Sequence, residues 1–163
     1  MKLTEYLLAE MNREVERSRT ALKQIPEGKY DWKPHEKSMN LGYLALLVAE
    51  IPKWITFSIE KSEIDLATYP KFPLTTTADL VKHFDENIEG AKRALKKVSN
   101  KDLAGTFSLK ANGQLLYSTA KKENILSSIN HWVHHRGQLT VYMRLNDIAV
   151  PSIYGPSADD KTF

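Results

Sequence analysis

Apolar residues recur three and four positions apart through the first part of the chain. Leu3, Tyr6, Leu7, Met11, Val15, Leu22 and Ile25 keep to one side, with charged residues between them. That period predicts a helix from about Thr4 to Gln24, closed by Pro26 and Gly28. A second pattern covers Leu41 to about Glu60, with Ser38 or Asn40 available as its cap. Pro52 is expected to kink or divide this helix, because proline removes a backbone donor. Leu80, Phe84, Ile88, Ala91 and Leu95 mark a third helix, which Thr77 precedes. A fourth begins after Thr119, capped by Ser118 or Thr119, and fades near Asp147. Ile125, Ile129, Trp132, Val133, Leu139 and Met143 form its broad apolar side. Helices that each bury one stripe must pack together, and a four-helix bundle is the simplest solution.

The intervening segments have other patterns. Tyr30 to His35 reads as a connector, with Trp32 as a lid over the core. Ser62 to Thr76, with Pro70 and Pro73, reads as an irregular link. Phe107-Ser108-Leu109, Asn112-Gly113 and Leu115-Leu116-Tyr117 predict a short hairpin before the last helix, since Asn-Gly supplies the positive φ angles of a two-residue turn. The proline-rich tail from Val150 to Ser157 is expected to drape back over the bundle. No internal repeat or linker divides the chain, so residues 1–163 are expected to form one domain.

Composition narrows the chemistry. Among 163 residues, 42% are apolar and none is cysteine, which leaves room for a core and rules out disulfides, thiolate metal sites and a cysteine nucleophile. The missing cysteine is compatible with the cytoplasm, which is the expected location. The start of the chain has no signal-peptide core. The apolar run from Leu41 to Ile59 is broken by Glu50, Pro52 and Lys53, so no membrane span is expected. A net charge of +3 is too weak to imply nucleic acid. Lys92, Arg93, Lys96, Lys97 and Lys101 crowd a helix C-terminus, where cations offset the helix dipole, and no aromatic residue lies among them.

Candidate chemistry concentrates in Asn130 to Leu139, which holds three of the five histidines. His131 and His135 are four apart and project from one face, separated by roughly 6 Å of rise. Two imidazoles at that spacing can point at one divalent metal ion. Asn124, Ser128, Gln138 and Tyr142 continue the same polar line. Trp132 follows His131 where a metalloprotease helix would carry its glutamate base, so that reading fails. His134 should face solvent or a partner subunit, and His83 lies toward solvent without a role. Arg136 points into the apolar side and must be paired, because an unpaired buried charge is very costly; Glu50 is its first candidate partner. Gly137 is expected to allow a close helix approach.

Several segments resemble the DinB family of damage-inducible DinB/YfiT-like metalloenzymes. They are His131-Trp132-Val133-His134-His135-Arg136-Gly137-Gln138-Leu139, Tyr142-Met143-Arg144-Leu145, Val150-Pro151 and Tyr154-Gly155-Pro156-Ser157-Ala158-Asp159. Lys33 to Met39, Leu41 to Ala45 and Ala49 to Trp54 match its N-terminal half. The resemblance implies an all-α, up-down-down-up four-helix bundle, often dimeric, with nickel or zinc held by three histidines. Two of these fall on His131 and His135. The third should lie on the second helix two to three residues before Ala49-Glu50-Ile51-Pro52, where Leu47 stands, and leucine cannot ligate a metal. Glu50, or His35 from its loop, is a candidate substitute; Glu50 cannot both bind metal and pair with Arg136. The expected pocket between the second and fourth helices includes Leu47, Gln138 and Tyr142. The resemblance further implies thiol-dependent transfer or hydrolysis on a small electrophile. The alternative is a catalytically retired, metal-free dimer or interaction module.

Overall fold

The computed structural model describes residues 2–162. Four long helices, α1 (Leu3–Lys23), α2 (Leu41–Glu60), α3 (Thr77–Lys97) and α5 (Lys121–Leu145), surround one core. The short helix α4 (Asn100–Leu103) and the strands β1 (Glu63–Asp65), β2 (Thr106–Ala111) and β3 (Gln114–Ala120) complete a mostly helical molecule with one small sheet. α2 packs on α3 and α5, and α1 packs on the same two helices.

The contacts at the helix ends fix where each begins. The Thr77 hydroxyl donates to the Ile25 carbonyl at 2.5 Å, and the Leu41 N–H donates to the Trp32 carbonyl at 2.8 Å. α2 and α3 therefore start near the end of α1. At the other end, the Lys121 ammonium donates to the Ile59 carbonyl at 2.9 Å and the Asn124 amide to the Ser58 hydroxyl at 2.7 Å. α5 thus starts beside the end of α2.

Asn40 caps α2, its side chain accepting the Tyr43 N–H at 2.8 Å. The helix then runs through Pro52 without division, contrary to expectation, and Pro52 is buried in its middle. Packing on two neighbours outweighs one lost backbone bond. By length and composition α2 could cross a membrane, despite the expectation from its charges, yet here its apolar residues are packed against α3 and α5. Gly137 is exposed with open space around it, so it provides no close approach. Gly42 does: a Cβ there would meet the Tyr30 Cβ at 2.9 Å.

The sheet order is β1-β2-β3, with β1 parallel to β2 and β2 antiparallel to β3. Asn112 and Gly113 adopt φ of 51° and 76° between β2 and β3. β1 lies inside the segment expected to be irregular. Its Asp65 carboxylate accepts the Asn112, Gly113 and Ala67 N–H groups, which hold its pKa below the usual carboxylate range. Ser118 and Thr119 do not cap α5. Both lie in β3, and the helix N-cap is Ala120 with no side-chain bond. The strand feeds directly into the helix, and Thr119 bonds the Glu123 carboxylate instead.

Candidate functional site

His131 and His135 come together as their spacing predicts. Their Nε2 atoms are 2.8 Å apart, and the His135 Nδ1 lies 2.8 Å from the Gln138 Oε1. With the glutamine oxygen as assigned, the His135 Nδ1–H donates to it, leaving the Nε2 lone pair of a neutral ring free. The His131 Nε2–H then donates to that lone pair. Burial lowers both ring pKa values; for His131 the positive charge that His135 and His134 can carry adds to this, while for His135 the Gln138 bond opposes it. The pair is therefore held neutral near pH 7. Trp54 meets His131 edge to face at 5.7 Å between centroids. His134 is exposed. Tyr142 meets Trp32 edge to face at 5.5 Å.

A second cluster forms around Glu50, four residues before Trp54 on α2. Glu50 Oε1 is 3.1 Å from His83 Nε2, and the two side chains are 12% and 10% exposed. Phe72 stacks on the His83 ring at 3.8 Å. His83 is thus buried, not solvent-facing. It falls in the series Leu80, His83, Phe84, Asn87, Ile88, Ala91, all buried on one side of α3, and that three- and four-residue spacing was the signal for it in the sequence. Glu50, Leu47, Trp54, Leu66, Tyr69 and Phe72 line a cavity of about 620 Å³ between α2 and the segment that follows it. His131, His135, Gln138 and Tyr142 are not among its lining residues, whereas Leu47 is.

The DinB family profile matches residues 1–162. This chain belongs to the DinB family. The fold agrees with two solved structures. A DinB-like protein from Bacillus subtilis is 16% identical with a TM-score of 0.71, over 96% of this chain and 99% of that one. A DinB-like protein from Bacillus cereus is 21% identical with a TM-score of 0.72, over 92% and 97%. At such identities the likeness carries the fold alone. The uncharacterised protein YrdA of Bacillus subtilis (strain 168) is 53% identical over 32 residues, a match that spans only 20% of this chain and 19% of that protein.

The DinB-type metal set can now be tested on the residues present. Two imidazoles converge, but Leu47 supplies no donor, Glu50 is bound to His83, and His35 is exposed with its Nδ1 accepting the Lys37 N–H at 3.1 Å. Among the described residues no group of three or more histidine, aspartate or glutamate side chains could hold a metal ion. The His131–His135 distance of 2.8 Å is also shorter than the about 3.3 Å between two nitrogens on tetrahedral zinc. The residues do not fit a three-ligand centre.

The expected Arg136–Glu50 pair is likewise replaced. Arg136, 1% exposed, lies 2.5 Å from Glu14 Oε2 of α1. Its guanidinium also donates to the Ser18 hydroxyl at 3.1 Å and to the Tyr154 hydroxyl at 2.8 Å. Tyr154 donates onward to Glu14 at 2.9 Å. The need for a partner was legible; its identity was not, because α5 turns this face to α1 and the tail rather than to α2.

Proposed function

We propose that this DinB-family chain is a metal-free module, its three-imidazole set reduced to a hydrogen-bonded pair, and that it works as a homodimer. The observation that carries this reading is the direct His131–His135 contact beside an α2 that offers Leu47 where a ligand is expected. His135 is paired at both ring nitrogens, with Gln138 and with His131, and needs no ion to avoid a buried, unpaired nitrogen. Equilibrium titration with zinc and nickel tests it: the reading expects no saturable site at micromolar metal.

The same reading extends to architecture. An up-down-down-up bundle is supported by α2 and α3 starting where α1 ends, and by α5 starting where α2 ends. Dimerisation is supported by Val141 and Leu145, one turn apart on α5 and 57% and 58% exposed. Light scattering is expected to give twice the chain mass, and Val141→Glu to give the monomer; a wild-type monomer would contradict the dimer.

A second reading keeps the metal-dependent enzyme. Both rings are held neutral, the state that ligation requires. Their 2.8 Å separation is close to the about 2.9 Å of two nitrogens at right angles on one ion, which suits nickel better than zinc. A third ligand would have to come from Glu50 released by His83. A centre of that kind could activate a low-molecular-weight thiol or water for transfer to, or hydrolysis of, a small electrophile. Nickel binding abolished by Glu50→Gln as well as by His135→Ala would favour this reading.

A further inference from the structure

The cavity between α2 and residues 66–72 has a carboxylate set into its wall. The Glu50 side chain is 12% exposed and lines the space. Its Oε1 lies 3.1 Å from His83 Nε2. Among the described residues its other oxygen, Oε2, meets no donor, and the carboxylate pairs with no lysine or arginine. Oε2 is nonetheless open, not sealed from solvent as the Tyr69 hydroxyl is. Lys53, three residues along α2, instead turns its ammonium to the Phe57 and Tyr69 rings, 5.6 and 5.5 Å from their centroids. Lys71 stands in the cavity wall but is exposed, so water and salt screen its charge. A mostly buried carboxylate with no permanent cation beside it is costly to hold in a fold.

The surroundings of that oxygen are aliphatic and aromatic. Leu47, Glu50 and Trp54 fall three and four residues apart and so share one face of α2. Phe72 is brought to Glu50 through His83, its ring stacked at 3.8 Å on the imidazole that the carboxylate contacts. The volume of about 620 Å³ is that of a small-molecule site. These features select the ligand. An ionised carboxylate only accepts, and a charged donor makes the stronger hydrogen bond to it. An anion is repelled. Aromatic faces attract cations as well. The aliphatic walls call for an apolar body on the same molecule. We propose that this cavity binds a small apolar organic ammonium ion, its N–H groups donating to Glu50 Oε2 and its hydrocarbon body packed against Leu47, Trp54 and Phe72. The site uses neither His131 nor His135.

Calorimetric titration of the chelator-treated full chain with phenethylammonium tests it, with phenethyl alcohol, hydrocinnamate and ethylammonium as comparison probes. Phenethylammonium is expected to bind saturably. Phenethyl alcohol has the same body and a neutral donor, and should bind roughly tenfold more weakly. Hydrocinnamate carries the wrong charge and ethylammonium lacks the body, so neither should saturate. Glu50→Gln should bring phenethylammonium down to the affinity of the alcohol. Lys71→Met should tighten it roughly twofold by removing a like charge from the wall. His135→Ala should leave it unchanged, which separates this site from the imidazole pair. No saturable binding of phenethylammonium at millimolar concentration, equal affinity for the alcohol, or a preference for the ammonium that survives Glu50→Gln would overturn the assignment. The probe comparison on the unaltered protein decides the matter even if a variant fails to fold.

Discussion

Arg136 is a buried charge on an otherwise apolar helix face. Its place on an apolar helix face required a carboxylate, and the structure supplies Glu14 with Ser18 and Tyr154 around it. Removing one member of a buried pair leaves the other charged and desolvated. Arg136→Met should therefore cost about 3–5 kcal/mol of unfolding free energy by denaturant titration, and Glu14→Gln a comparable fraction. A change below about 1 kcal/mol would show that water reaches the pair. At the same scale, both site imidazoles have depressed pKa values. The unfolded chain takes their protons first, at about pH 6.5. Their contribution to stability is thus complete above that pH and is lost as pH falls toward the lower folded values. Melting temperature followed from pH 7.5 to 5 should fall more steeply for the native chain than for His131→Gln combined with His135→Gln. Parallel curves would contradict a shielded, neutral pair.

At the scale of elements, periodicity located all four long helices, because each buries one stripe and declares it every three or four residues. It could not reveal β1. Three residues have no period of their own, and Ile64 is buried where β1 pairs with β2 and packs on α2. Nor could it show that a strand would feed straight into α5, which made Ser118 and Thr119 look like caps. The close approach expected at Gly137 falls at Gly42 for a similar reason: whether a glycine is needed depends on what crosses it, and Tyr30 crosses Gly42 while nothing crosses Gly137. Gly42→Ala should destabilise the fold by about 1–3 kcal/mol, since its added Cβ would meet the Tyr30 side chain. Gly137→Ala should instead stabilise it by roughly 0.5–1 kcal/mol through helix propensity. Equal effects at the two positions, read from urea midpoints, would contradict this packing.

At the scale of the whole molecule, the candidate site is where a family scaffold and one chain's residues part. The two imidazoles to which the resemblance points lie 2.8 Å apart. Spacing alone explains why they converge, as they lie one turn apart on α5. The third position was legible as a leucine, but the fate of Glu50 was not, because His83 comes from α3 to claim it, with Phe72 stacked on the imidazole. Leu47→His should supply the missing imidazole and raise zinc or nickel affinity above that of the native chain. On the function proposed above, the native chain closes its imidazoles on each other and not on an ion. Calorimetric titration of purified, chelator-treated protein with nickel and with zinc tests that most directly. No saturable binding at micromolar metal is expected in the native chain; a one-to-one site at that concentration, lost in His135→Ala, would contradict a closed imidazole pair.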